Sequence, residues 1–354
     1  MRKYYTRACN FYYETKAKNL IKKNLALPLC GNKNIAFDSI QVLSRNKKTK
    51  LVNIKNIKNL PIQIKKTVLV DLKKIISKRK NLNKYLNISE PLIMGILNLT
   101  PDSFSDGGLY VQSKKAFKHI NKMISNGADI IDIGGESTRP GSKNIPHKVE
   151  WKRLEKIIIN FKKKFPKIFL SIDTRKSEVM LKAIKCKSDL INDVSGFNYD
   201  QEAVEKIKNY DVWKVLHHMQ GTPNTMQIKP SYKNVLLDIY DFFEKKINND
   251  FKNFRYKKFI VDPGIGFGKN LKHNLILIHN ISLFHSLGFP LLIGTSRKRF
   301  INQISGEFDS KERVGGTLAS VLYTLQQGVQ IFRVHNVKEV KQAILVFKKI
   351  ISEK

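Results

Sequence analysis

From residue 91 onward, short apolar runs recur along the chain, each closed by a polar or charged residue. Between them lie longer stretches whose apolar positions repeat at helical spacing. The runs are Ile93–Leu97, Ile130–Ile133, Ile168–Ile172, Leu190–Ile191, Val212–Leu216, Phe259–Val261, Leu291–Ile293 and Gln330–Val334. The amphipathic stretches include Ser113–Asn126, Val149–Lys164, Ser177–Lys185, Gln201–Lys208, Val235–Phe254 and Glu339–Ile351. Strand–helix alternation predicts a parallel sheet with crossover helices, and eight units in about 260 residues have the size of a (β/α)8 TIM barrel. An open doubly wound sheet would want a glycine fingerprint in its first βα turn, which here reads Asn98-Leu-Thr-Pro-Asp-Ser. Residues 1–88 follow another pattern. Leu25-Ala-Leu-Pro-Leu has the look of a buried turn, and the stretch from Gly31 ends in a strand-like run. The expected fold class is therefore α/β, a (β/α)8 barrel over 89–354 preceded by a small α+β appendage over 1–88.

Composition narrows the class. With 42% hydrophobic residues in 354, the chain has material for a large core, which excludes wholesale disorder. No apolar run approaches the roughly 18 residues that span a bilayer, so a soluble chain with no membrane partner is expected. Cys9, Cys30 and Cys186 are odd in number and scattered, which suits a reducing compartment better than a disulfide framework or a metal site. Net charge is +36, from 65 Lys and Arg against 29 Asp and Glu. Half of it falls in residues 1–90, with 22 basic and 4 acidic residues, in patches such as Arg45–Lys50 and Lys78–Lys80. A basic arm for nucleic acid competes with compositional drift. Drift is favoured, because Lys and Asn are abundant throughout and no aromatic-basic stacking pattern appears. Met1-Arg-Lys-Tyr-Tyr is basic, but no apolar stretch follows it as a secretory signal requires.

In a barrel the residues closing each strand face one mouth. Those positions hold Asn98, then Glu136 with Thr138 and Arg139, Asp173, Asn192 with Asp193, His217 with His218, and Asp262. Strands seven and eight add Ser296 with Arg297 and Lys298, and Arg333 with His335. Helix capping explains one or two such residues. It does not explain two cationic loops at strands seven and eight, where barrels often hold phosphate. The residues alone predict an enzyme acting on a phosphorylated, polar heterocyclic or sugar-like substrate. Gly264-Ile-Gly-Phe-Gly-Lys269 fits neither dinucleotide nor Walker spacing and reads as a turn bringing backbone close to a flat ligand. His217 reads as a core or rim histidine.

From Pro91 to about Ile344 the chain resembles the dihydropteroate synthase family. The motifs, in the family's order, begin with Met94-Gly-Ile-Leu-Asn98-Leu-Thr-Pro-Asp102-Ser103-Phe104-Ser-Asp106 and Asp132-Ile-Gly-Gly-Glu136-Ser-Thr138-Arg139-Pro140. Ser171-Ile-Asp173, Ile191-Asn192-Asp193, His218-Met219-Gln-Gly and Asp262-Pro-Gly-Ile-Gly-Phe267 follow, then Ser296-Arg-Lys298 and Arg333-Val-His335. The stretch Leu25–Phe37 more loosely resembles the extension of alphaproteobacterial members, which points to a bacterial cytoplasmic protein.

The resemblance implies condensation of 6-hydroxymethyl-7,8-dihydropterin diphosphate with 4-aminobenzoate to 7,8-dihydropteroate and diphosphate, with Mg2+, in a homodimer. It places Asp173, Asn192 and Asp262 on the pterin edge, with Lys298 on the ring and Met219 and Phe267 as apolar walls. It places the diphosphate against Asn98, Arg139, Arg333 and His335, with Asn98 as the metal ligand. Asp173, Asp262, Lys298, Arg333 and His335 carry the chemistry. Asp102, Ser103, Phe104 and Asp106, with Thr138, Arg139 and Pro140, would close over 4-aminobenzoate. Two positions depart from the pattern. Arg299 stands where many members carry Ser, and Asn336 replaces an Asp, which is expected to leave His335 freer to be neutral. A methyltetrahydrofolate-dependent methyltransferase is the nearest rival; it would share the pterin carboxylates but lack the Thr100–Ser105 and Glu136–Pro140 loops.

Overall fold

In the computed structural model, which describes residues 2–100, 109–137, 141–142 and 144–353, the chain opens with an antiparallel sheet. Its strands are β1 (Tyr5–Tyr13), β2 (Leu27–Leu29), β3 (Asn32–Leu43) and β4 (Lys50–Asn53), with helix α1 (Glu14–Lys22) after β1. β3 is central, pairing with β1 along one edge and with β2 and β4 along the other. Phe37, Ile40 and Val42 of β3 pack under α2 (Ile62–Ile76). That helix returns Ile64, Val68, Leu72 and Ile75 at three- and four-residue spacing to the same cluster. The appendage is α+β, as expected.

Eight parallel strands follow: β5 (Leu92–Asn98), β6 (Ile130–Gly134), β7 (Phe169–Asp173), β8 (Leu190–Asp193), β9 (Trp213–His217), β10 (Phe259–Asp262), β11 (Leu292–Ile293) and β12 (Ile331–Val334). They pair in the order β10-β9-β8-β7-β6-β5-β12-β11. A parallel bridge from Val261 to Leu291, with Val261 N–H donating to the Pro290 carbonyl at 2.9 Å, closes the ring. All eight apolar runs became strands, because each is short and β-branched and is buried on both faces. The crossovers are α3 (Leu109–Ser125), α4 (His147–Lys164), α5 (Ser177–Lys185), α6 (Ala203–Ile207), α7 (Val235–Lys245), α8 (Leu271–His279), α9 (Arg299–Ser305), α10 (Val314–Leu325) and α11 (Val337–Ser352). The stretch read as one helix over 235–254 ends its α-helical part at Lys245 and continues as a π-turn over Lys246–Asp250.

Two contacts decide which end of the barrel is open. Leu82, Leu86 and Ile88 pack among Leu92, Ile130, Phe169, Trp213 and Ile331 at the strand starts, and Trp213 Nε1–H donates to the Leu82 carbonyl at 2.9 Å. The N-terminal end is thus plugged by apolar residues. The antiparallel sheet docks on α7. Arg45 reaches Asp238 at 2.6 Å and Asp241 at 2.8 Å. Arg2 pairs with Asp71 and with Glu244 at 2.7 Å, and donates to the Tyr240 hydroxyl at 2.9 Å. Part of the basic excess in residues 1–90 therefore neutralises an acidic helix face within the chain.

Candidate active site

Parallel strands deliver their C-terminal residues to the opposite, open mouth. Asn192, His217, Asp262, Lys298 and Arg333, with Val194, Ile265, Phe267 and Gly294, line a narrow cavity there. Asp173 belongs to the same group through Arg333. The guanidinium forks between two carboxylates, Nε donating to Asp132 at 2.7 Å and Nη2 to Asp173 at 2.7 Å. Asp132 also accepts from Asn192 Nδ2 at 3.1 Å and from the Ser171 hydroxyl. Asn98 lies beside Gly134, where a Cβ would stand 3.6 Å from the Asn98 side-chain oxygen and 3.4 Å from Asp173 Cβ, in ordinary contact with both.

Burial sets the electrostatics. It pushes Asp173 up to about 7, with Arg333 pulling the other way and Asp132 adding to the rise. It pushes Asp262 up to about 6, against the Gly264 N–H, which donates to the carboxylate at 2.8 Å, and against Lys298. Lys298 is brought down to about 7 by burial and by Arg333, more than Asp262 and Asp173 restore. Its ammonium stands 4.0 Å from the Phe267 ring centroid. Arg333 is desolvated too, but its two carboxylates hold it firmly charged. Three groups around one small cavity thus titrate near neutrality, so an entering ligand decides where their protons sit.

Lys298 contacts Phe267, and Met219 packs with Phe267, Val194 and Met226. His335 lies at the strand-eight edge, its Nδ1 3.1 Å from the Ser296 hydroxyl. The Asn336 side-chain oxygen accepts from Arg297 Nε at 2.9 Å. Arg299 is exposed at the start of α9. Thr138, Arg139, Pro140, Asp102, Ser103, Phe104 and Asp106 lie outside the described residues.

Reading every strand end as chemistry for the mouth counted too many residues. Glu136 is held by Arg175 at 2.7 Å and Lys176 at 2.9 Å, which outweigh burial and lower its pKa. Asp193 accepts from the Ser195 and Phe197 N–H groups and so builds its own turn. His218 contacts the buried Lys269 ammonium, 3.0 Å from its Nδ1. His217 is buried, its Nδ1–H donating to the Val194 carbonyl at 2.7 Å, although its ring also lines the cavity. The glycine turn lies close against other protein backbone. Gly264 has φ +70°, and a Cβ there would sit 2.0 Å from the His218 carbonyl oxygen. The residue missed altogether was Asp132. Its signal was available: a lone charge inside the apolar run of β6, on the face shared with Gly134.

A family model for pterin binding enzymes matches residues 94–335. The dihydropteroate synthase of Escherichia coli is 40% identical over 270 residues, covering 76% of this chain and 95% of that one. The Yersinia pestis dihydropteroate synthase, solved as a sulfonamide drug complex, superposes with a TM-score of 0.70 at 38% identity. That match covers 75% of this chain and 96% of the other. The Xanthomonas albilineans dihydropteroate synthase, solved with 4-aminobenzoic acid, gives 0.70 at 35% identity over 75% and 94% of the two chains. With sequence and barrel both matched over about three-quarters of its length, the chain belongs to the dihydropteroate synthase family.

Proposed function

We propose that the chain joins 6-hydroxymethyl-7,8-dihydropterin diphosphate to 4-aminobenzoate, giving 7,8-dihydropteroate and diphosphate. The observation that carries this is the cavity lined by Asn192, Asp262 and Lys298 next to the Arg333–Asp173 pair. A pterin edge offers several N–H donors and ring acceptors. Carboxyls poised near neutrality can match either, and they are costly to leave unpaired, which selects for that edge. Phe267 and Met219 supply apolar contact to the ring.

Arg333 is held charged by its two carboxylates, and with His335 and Arg139 it would face the diphosphate. The methylene C–O bond breaks with its electron pair leaving on diphosphate oxygen. A fixed guanidinium takes up that growing charge without reorganising. The 4-aminobenzoate amine then attacks the electron-poor methylene carbon and loses a proton. The closing loops would include Asp102–Asp106 and Thr138–Pro140, and ordered binding with the pterin first follows from such closure.

The donor set suits a magnesium ion carried by the substrate rather than a resident one. No group of three His, Cys, Asp or Glu able to hold a metal occurs among the described residues, while Asn98 offers one amide oxygen at the mouth. Magnesium commonly takes one or two protein oxygens and fills its shell with phosphate oxygens and water. Bound there, it would neutralise the departing diphosphate. A cytoplasmic homodimer is part of this proposal on the family resemblance. Diphosphate release from the two substrates, with and without Mg2+, tests the whole: no release in the complete mixture overturns it.

A further inference from the structure

A second and larger cavity, of about 60 Å³, opens between the N-terminal sheet and the outer face of the barrel. Cys30, Arg79 and Gln330 line it, with Asn32, Phe347 and Leu29. Cys30 sits in the turn joining β2 to β3, and its Sγ is 3.3 Å from His285 Nδ1. The imidazole is fully buried, and its Nε2 lies 2.8 Å from the Gln327 carbonyl. A carbonyl only accepts, so Nε2 carries the hydrogen and Nδ1 is left to accept the thiol proton. Thiol, base and an orienting third group are the parts of an activated nucleophile.

Arg79 adds an independent sign of a ligand. It is 3% exposed and lines the cavity, and its Nε–H has no hydrogen-bond partner. Its Nη1 and Nη2 serve the carbonyls of Lys74, Ser77 and His285. Burial alone would raise the thiol, but His285 and Arg79 outweigh it and bring Cys30 to about 7.

We propose that Cys30 is a nucleophilic thiol with His285 as its base, and that the cavity admits a small carboxylate-bearing electrophile guided by Arg79. With iodoacetate as the probe, the Cys30 proton passes to His285 Nδ1. Sulfur then forms a bond to the methylene carbon as the C–I bond breaks, iodide leaves with the bonding pair, and the imidazolium returns its proton to solvent.

The test uses the native full-length chain at neutral pH, with limiting iodoacetate or iodoacetamide and site-resolved mass spectrometry. Cys30 is expected to react about tenfold faster than the half-buried Cys186, although Cys186 is the more exposed, because thiolate fraction controls the rate. The excess is expected to be greater with the anionic reagent. His285→Gln should slow Cys30 and leave Cys186 alone, and Arg79→Gln should erase the preference for iodoacetate. Cys186 reacting first in the unaltered chain, with Cys30 labelled only in denaturant, overturns the proposal without any variant. So does an unchanged Cys30 rate in folded His285→Gln. Cys30→Ser should lose the fast label yet keep the rate of diphosphate release.

Discussion

Where the N-terminal sheet docks on α7, Arg2 and Arg45 each meet two carboxylates, Asp71 with Glu244 and Asp238 with Asp241. At the open mouth Lys298 and Asp262 have no ion-pair partner within 4.0 Å among the described residues, and Asp173 and Asp132 share one guanidinium. Both regions take charge out of water, and the first pairs each guanidinium with two carboxylates, although Asp71 Oδ2 and Arg45 Nε keep no hydrogen-bond partner and burial still raises the Asp71 pKa. Paired charge holds two pieces of chain together. Under-compensated charge around a cavity waits for a ligand to complete it, and there Asp173, Asp262 and Lys298 are brought to about 7, 6 and 7. The same contrast separates Glu136, tied to Arg175 and Lys176 after β6, from Asp262 at the end of β10 on the opposite side of the ring.

The largest expected break comes from Arg333→Ala. It removes the guanidinium that Asp132 and Asp173 share and leaves the two carboxylates without it, so turnover should fall by about 10³-fold in a diphosphate-release assay. Asp262→Asn should act in two opposite directions. Pterin affinity, read by isothermal titration, should fall by about 10²-fold with the loss of a charge-assisted bond. The ligand-free protein should gain stability. Burial raises the Asp262 pKa from its unfolded value to about 6, so the folded state holds the extra proton. That contribution is present below about pH 4 and lost as pH rises through about 6. Asn does not titrate, so near pH 7 the variant should be the more stable by on the order of 2 kcal/mol, with no gain at pH 4.

Arg2→Ala should show the reverse profile to Arg333→Ala. It orphans the fully buried Asp71, costing about 3 kcal/mol in chemical denaturation while leaving turnover intact. The smallest effect is expected from Lys48→Ala, an exposed member of the basic patch that should change neither quantity measurably. A large loss of turnover from Lys48→Ala, or none from Arg333→Ala, would erase the distinction between the two regions.

The eight barrel strands were legible because a strand buried on both faces must be a short, nearly continuous apolar run. Helices α8 to α10 were not singled out. α8 is apolar on more than one side, and α10 opens with Gly315 and Gly316, poor helix formers. Gly316 is needed all the same, because a Cβ there would lie 2.4 Å from Ile301 of α9. β1 was equally hidden. Its residues Arg7, Asn10 and Tyr12 read as polar, and only pairing with β3 makes them a strand. At the mouth, Asn98, Asp173, Asn192, Asp262 and Arg333 were legible as strand ends carrying polar groups. Asp132 was legible only as a lone charge inside an apolar run, because its partner Arg333 reaches it from β12 across the barrel.

The sequence by itself determined the alternation of eight apolar runs with helices, the side of the barrel on which chemistry sits, and the family. Periodicity and motif order are local properties that survive without a structure. Tertiary structure alone decided which charges are spent on one another. Arg333 with Asp132 and Asp173, Arg2 with Asp71 and Glu244, and Cys30 with His285 join residues between 69 and 255 positions apart. Whether a charge is paired, buried or left facing a cavity depends on distance and dielectric, and neither can be read along the chain. The +36 of the composition therefore resolved into three uses. A few cations face the mouth, a few dock the extension, and exposed lysines such as Lys48 carry much of the remainder on the solvated surface.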